Sequence, residues 1–572
     1  MNEHRNMILA VVLSVIVLIG WTFVSERWIP TANPPATKVV NGKTVPVAQP
    51  HADPTADSPG STRDRQIVLR ETPRIAIETP RLKGSINLKG AKIDDLVLTT
   101  QREGIAKDSP PIRLLSPAGS PDAYFAGFGW SGDSLAAPAA DTIWTASGTR
   151  LTPSTPVTLS AQNGQGQRFD IRIAVDDGYM FTITQRVANG GPGAIAARPY
   201  GLVSRAHPSK DPTSWTNHTG PVGVFNSAAD YGWDYADIVK QGDQHFSSTG
   251  GWIGFTDKYW LTALIPDQKS SVEAAFRHGS TGAFQAEFTP VPALVAPGSA
   301  VTYQSRFFAG AKEIDLLNRY QDQGGIAKFD KAIDWGWFEW FMKPIFSLLR
   351  WLYATIGNFG FAIICLTLIV RALMFPIAQK QFKSMAAMRV LQPKMKALQE
   401  RHKDDKARLQ QEMLKLYQEE KVNPMAGCLP ILIQIPIFYA LYKTLTVSVE
   451  MRHKPFILWI KDLSAPDPLT PVNLFGYLHF TPPHMLALGV LPILLGITMF
   501  IQFKLQPPAP DPVQRQMFSL MPWVLMFVMA PFAAGLQLYW TVNNLLTILQ
   551  QKWLYSRYPG MRPAPDAAAV VK

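Results

Sequence analysis

Between Arg350 and Lys380 the chain carries one charged side chain, Arg371, in a run of Phe, Leu, Ile, Val and Ala. A run this long and apolar reads as a membrane-spanning helix, because a hydrocarbon core about 30 Å thick needs about 20 residues at helical rise. Arg371 lies nine residues before Lys380, about 13 Å along a helix axis. A charge at the bilayer centre costs about 3 kcal/mol or more, so such a residue normally faces protein or a water-filled cavity and marks a functional position by default. The bland alternative is an arginine that snorkels to the headgroups as an anchor.

Composition agrees with a chain that is part membrane, part water-soluble. Of its 572 residues 17% are charged, against about 25% in ordinary soluble domains. The two cysteines, Cys365 and Cys428, both fall in apolar stretches, so the soluble region has no disulfide framework. Neither has a partner at metal-ligand spacing, and no metal or cofactor is expected. The net charge of +12 suits an anionic lipid surface or RNA equally well at this level.

The pattern along the chain predicts six parts. Residues 1–29 form a transmembrane anchor, since Asn6 to Ser25 are uncharged and Arg5 precedes them; the run exceeds a signal-peptide core of about 7–15 residues. Residues 30–65, rich in Pro, Ala, Thr and Ser, read as a flexible linker. Residues 66–312 alternate in the manner of strands. Phe169, Ile171, Ile173 and Val175 share one face, Asp176-Asp177-Gly178 turns the chain, and Phe181, Ile183 and Val187 resume the alternation. About 245 residues of this kind imply one large antiparallel β-sandwich. His207, His218 and His245 lie in it without metal-ligand spacing. Residues 313–348 connect to the membrane part; Trp335, Phe338, Phe341, Met342 and Ile345 recur at helical spacing and suit an amphipathic helix in the interface. Residues 349–552 hold five spans, and 553–572 form a short tail with four basic residues from Lys552 onward.

Those five spans are Trp351 to about Pro376, one between Lys421 and Lys443, one between His484 and Lys504, and two within the 36 uncharged residues from Gln516 to Gln551. A single helix over the last stretch would be about 54 Å long, far beyond a hydrocarbon core of about 30 Å. Pro531 and Gly535 place a tight turn near its middle, and the resulting short spans predict local bilayer thinning. Two loops of equal length give the orientation. Residues 380–421 carry eleven Lys/Arg and 443–484 carry four, so the first is cytoplasmic and the second external. Both termini are then inside and the β domain outside.

The loop 380–421 reads as a helical hairpin with thin, Met-rich stripes. Met385, Met388 and Met395 lie in the first arm and Met413 in the second, with Asp404 able to cap the second arm. Methionine surfaces suit varied apolar partners; the alternative is that the two arms pack on each other. Polar residues recur within the spans. Thr367 and Arg371 share a helix face, Gln434 sits mid-span, and the last helix carries Trp540, Asn543, Asn544 and Thr547 on one stripe, with Gln537 and Tyr539 nearby. No Asp or Glu occurs in these spans, so Arg371 has no acidic neutraliser there, and hydration in a cavity open to the cytoplasm explains it better. The asparagines suit ordinary interhelical hydrogen bonding. No G-x-S-x-G, Walker loop or His-Glu cluster is present in the spans, which leaves little for an enzyme to work with. A channel or solute transporter using Arg371 as an anion site is the second reading; a third gives the β domain a carbohydrate-directed role.

Several segments together resemble the YidC/Oxa/Alb family of membrane protein insertases. These are Leu366-Thr367-Leu368-Ile369-Val370-Arg371 through Phe375-Pro376, Leu391-Gln392-Pro393-Lys394, Lys421-Val422-Asn423-Pro424, Gly427-Cys428-Leu429-Pro430 through Phe438, and Gly535-Leu536-Gln537-Leu538-Tyr539-Trp540. The likeness is strong over Asp334 to Tyr555 and looser in the β domain, whose presence matches the Gram-negative form with a periplasmic β-supersandwich. The resemblance implies an insertase and chaperone of the bacterial inner membrane, without a catalysed reaction or cofactor. It implies nascent membrane proteins, the Sec translocon, the ribosome, the signal-recognition-particle receptor and anionic lipids as partners, with no nucleic-acid recognition beyond ribosome contact. It also places Arg371, Thr367, Gln434, Tyr539 and Trp540 in a hydrophilic substrate groove. The last-span aromatic pair, often Tyr-Tyr in the family, is Tyr539-Trp540 here. The four basic residues of the tail argue against a long ribosome-binding extension.

Overall fold

The computed structural model describes residues 37–40, 43–46, 63–132, 135–211, 217–279, 281–336, 338–402, 405–420, 429–478, 488–505 and 512–557. The predicted N-terminal anchor, the motif Lys421–Pro424 and most of the tail lie outside them. Within the predicted linker, Thr37–Val40 pairs antiparallel with Lys43–Pro46. The chain forms two units, one ending at Asp334 and one from Trp335 onward, with residues 104–107 grouped with the second.

In the first unit, alternation becomes a two-sheet core. Gln167–Val175 pairs antiparallel with Met180–Asn189, with Val175 opposite Phe181. Phe169, Ile171, Ile173, Phe181, Ile183 and Val187 are all fully buried. The turn between the strands is an Asx turn, in which the Asp176 carboxylate accepts from the Gly178 and Met180 amides, both at 2.9 Å. These strands sit inside a nine-stranded sheet. The second sheet has eleven strands and is built around Ile195–Arg205, which pairs with Tyr124–Ser131 and Phe284–Pro290. Its one parallel pairing joins Ala76–Ile77 to Arg150–Leu151. Aromatic rings bridge the sheets: Phe128 meets Phe307 at 6.2 Å, and Trp130 meets Phe169 at 5.2 Å. Among the described residues the unit also holds the short α-helices α1 (Arg65–Arg70), α2 (Tyr235–Gln241) and α3 (Ile314–Asp322). His218 is tied to the Pro221 carbonyl at 2.8 Å, and burial lowers its pKa below the ordinary 6.5.

The second unit is helical: α4 (Glu339–Ile356), α5 (Phe359–Arg401), α6 (Lys406–Glu419), α7 (Leu429–Val447), α8 (Val490–Leu505), α9 (Pro512–Met529) and α10 (Ala534–Arg557). Three sequence-based boundaries change. The span predicted from Trp351 starts at Phe359 instead. Gly357 takes a left-handed conformation (φ 79°) and ends α4, and Asn358 caps α5 by accepting from the Gly360 and Phe361 amides. Trp351 therefore belongs to α4, whose buried face is Met342, Phe346, Leu349 and Leu352; Trp335 and Phe338 precede the helix. Next, α5 runs unbroken for 43 residues through Pro376 and Pro393, joining the predicted span to the first arm of the hairpin. Finally, Asp405 caps α6, accepting from Arg408 N at 3.0 Å, rather than Asp404, which lies outside the described residues.

Among the described residues, Phe359–Gln379 is the one segment long and apolar enough to cross a membrane by length and composition; α8 is apolar but shorter. Leu366, Ile363, Leu441, Leu445, Leu495, Leu536 and Tyr539 belong to a core shared by α4, α5, α7, α8, α9 and α10. The segment 448–470 folds over the end of the bundle where α5, α8 and α10 begin. Its carbonyls at Leu463 and Ala465 accept from Gly535 and Ala534, at 2.9 and 2.7 Å. Asp467, nearly buried, accepts from Trp459 Nε1, Leu469 N and Leu491 N. Phe456 O takes Asn358 Nδ2 at 3.2 Å. Amides in the first turns of helices have no intrahelical acceptor, so a loop that offers carbonyls and a carboxylate satisfies them. The approach is tight: a Cβ on Gly360 would lie 1.9 Å from the Phe456 ring.

Between α9 and α10 the chain turns over residues 530–533, near the predicted Pro531. Gln537 Nε2 clamps this turn, donating to the carbonyls of Met529 (2.8 Å), Phe532 (2.8 Å) and Ala530 (3.3 Å).

Candidate functional site

The polar residues predicted for the spans meet where α5, α7 and α10 pack. On α5, Thr367 and Arg371 are one turn apart. On α10, Tyr539, Asn543 and Thr547 repeat every four residues and form a matching stripe. The Arg371 guanidinium spans the gap. Its Nε donates to Asn543 Oδ1 at 2.7 Å, and its Nη2 donates to the Asn543 carbonyl at 3.1 Å and to Thr547 Oγ1 at 2.5 Å. Thr547 Oγ1 in turn donates to the Asn543 carbonyl at 2.7 Å. From α7, Gln434 Nε2 donates to the Tyr539 hydroxyl, so the stripe is tied to a third helix.

The acceptors on Arg371 are an amide oxygen, a backbone carbonyl and a hydroxyl. Dipoles orient a guanidinium but leave its charge uncompensated, whereas a carboxylate would neutralise it. The sequence reading expected hydration here; three protein oxygens meet the Nε and Nη2 donors. Asn543, read from sequence as an interhelical hydrogen-bonding residue, bonds across to α5; that it and Thr547 meet Arg371 was not foreseen.

The other predicted groove residues fall in different places. Thr367 is fully buried, and its hydroxyl donates to Ile363 O of its own helix at 2.7 Å. Trp540 turns toward α7 and meets Phe438 edge to face at 4.9 Å. Asn544 points to α8 and donates to Thr498 Oγ1 at 3.2 Å. The stripe of Trp540, Asn543, Asn544 and Thr547 therefore divides among three neighbours: Trp540 meets α7, Asn543 and Thr547 meet α5, and Asn544 meets α8. Lys443, read from sequence as a span boundary, is buried within α7 (1% exposed).

In the hairpin, Lys394 pairs with Glu420 across the two arms. Met395 is buried and Met413 half-buried, while Leu414 is exposed. For Met395 the structure favours packing over an open contact surface. The side chains of Met385 and Met388 lie outside the described residues.

Comparison with known proteins follows the same division. The family described as "60Kd inner membrane protein" matches residues 351–561, and the one described as "YidC periplasmic domain" matches residues 74–348. A relative from Zymomonas mobilis subsp. mobilis, named membrane protein insertase YidC, is 50% identical over 99% of this chain and 98% of its own length. One of the same name from Rhizobium etli is 43% identical over 98% of this chain and 96% of its own. A crystal structure of an active YidC insertase aligns with 86% of this chain and 94% of that one, at 18% identity and a TM-score of 0.37.

Proposed function

Because the chain belongs to the YidC family of inner-membrane insertases and its residues 74–348 match the YidC periplasmic domain, we propose that it inserts nascent membrane proteins through a groove centred on Arg371. The observation that carries this reading is the neutral set of acceptors around Arg371, which leaves a full positive charge at a fixed place among apolar helices. Gln434 and Tyr539 line the groove beside it, Trp540 and Phe438 give it an aromatic wall, and Thr367 backs it.

The route is non-enzymatic. A hydrophobic segment lands on the cytoplasmic hairpin, where Met413, Met385 and Met388 offer adaptable contact and the basic residues hold anionic headgroups. Its short polar flank enters the groove and is drawn toward Arg371. Polar groups there and a thinned bilayer lower the cost of desolvating that flank. The apolar part leaves sideways into lipid. Six spans, with α5, α7, α8, α9 and α10 following the N-terminal anchor, put both termini in the cytoplasm. The protein acts alone or beside the Sec translocon and also chaperones folding. The ribosome and the signal-recognition-particle receptor deliver substrates to it.

The test uses reconstituted vesicles and two substrates that differ only in whether the translocated tail is acidic or neutral. Arg371→Ala lowers insertion of the acidic-tailed substrate more than that of the neutral one, and Arg371→Lys retains much of the difference. Equal loss for both tails in Arg371→Ala removes charge attraction from the mechanism.

A further inference from the structure

We propose that the charge selectivity of the groove depends on position 543 being uncharged: Asn543 meets Arg371 with neutral oxygens, so the guanidinium keeps its full charge for an acidic segment. This rests on the reading that Arg371 receives polypeptide.

The geometry is specific about which part of the guanidinium is used. A guanidinium has five N–H donors in a rigid fork. The Asn543 amide oxygen and carbonyl together with Thr547 take the Nε–Nη2 edge. Nη1 makes no hydrogen bond among the described residues and remains the donor for an incoming carboxylate. Thr547 is committed on both sides, accepting from Arg371 and donating to the Asn543 carbonyl, so the three groups hold one arrangement. The neighbouring Asn544 bonds to α8 and takes no part.

Asparagine and aspartate have the same shape, so Asn543→Asp isolates the charge. A carboxylate at this position would form a neutral pair with Arg371, and an acidic tail would then meet a satisfied cation. Asn543→Ala removes the amide but keeps the charge free.

The readout is the ratio of acidic-tailed to neutral-tailed insertion in reconstituted vesicles, measured for the full chain. The ratio is insensitive to the fraction of protein that folds, because a misfolded fraction lowers both numbers alike. In Asn543→Asp the ratio falls about fivefold or more, the low end of ordinary coupling between bound groups, and matches Arg371→Ala while the neutral tail still inserts. In Asn543→Ala it stays near the unmodified value. A wild-type ratio in Asn543→Asp, with a reduced one in Arg371→Ala, overturns the proposal and leaves the underlying reading intact. So does an equal fall in Asn543→Ala and Asn543→Asp, which would mean that position and not charge is what Asn543 supplies. An unchanged ratio in Arg371→Ala overturns the underlying reading and this proposal with it.

Discussion

Arg371 and Gln434 face the same difficulty, a polar group among apolar helices, and meet it with different partners. Arg371 takes three oxygens from one helix, so its orientation depends on α5 and α10 keeping their register. Gln434 takes one hydroxyl, from Tyr539, which is itself almost fully buried. Tyr539→Phe leaves the Gln434 amide without that acceptor and costs about 1 kcal/mol. Adding Gln434→Leu removes the orphaned donor, so the double variant is more stable than the sum of the two single changes predicts. Thermal midpoints in detergent for the four proteins of this cycle check it; strict additivity would mean that the two groups do not interact. The oddity of Arg371 was visible in the sequence because a charge in a long apolar run needs no structure to be noticed. Which oxygens meet it was not visible, since Asn543 and Asn544 are adjacent in sequence and face different helices.

At the scale of elements, local signals and tertiary context disagreed in instructive places. Gly357-Asn358 is a local stop and start, a left-handed glycine followed by a capping asparagine, but counting charges alone runs across it. Pro376 and Pro393 look like stops and are not; α5 continues through both. A proline removes one backbone hydrogen bond and strains the preceding turn, and neighbouring packing can carry a helix past that. Pro531 did mark the turn between α9 and α10, while Gly535 is the second residue of α10. What holds that turn is Gln537, one side-chain amide reaching three carbonyls. Gln537→Leu strands these acceptors in a partly buried turn and destabilises the bundle by about 1 kcal/mol. The loss appears as a lower thermal midpoint for the helical unit; an unchanged midpoint would show that water satisfies the carbonyls as well as Gln537 does.

For the molecule as a whole, the two halves differ in how much of them can be read in advance. Strand alternation gave the β unit its class and the Phe169–Val187 hairpin its register, because period-two burial is local. The order of strands across the two sheets was not legible, since pairings such as that of Met180–Asn189 with Ala300–Ala311 join residues more than a hundred positions apart. The β unit should also respond to acid. Burial holds the folded-state pKa of His218 below its unfolded value near 6.5, so protonation favours the unfolded chain. Its contribution is complete above that value and is lost as pH falls below it. Urea midpoints followed by tryptophan fluorescence fall between pH 7.5 and 5.5, and His218→Gln narrows the difference; an equal fall in both proteins assigns the effect elsewhere. The segment 448–470, finally, has a mechanical consequence. It grips α5, α8 and α10 at their first turns, as a handle grips the tines of a fork. Tines bend most toward their tips. The spacing between α5 and α10 is therefore stiffest near the loop and more compliant at Arg371, about 18 Å along α5 from Phe359, the place proposed above for a guest chain to enter.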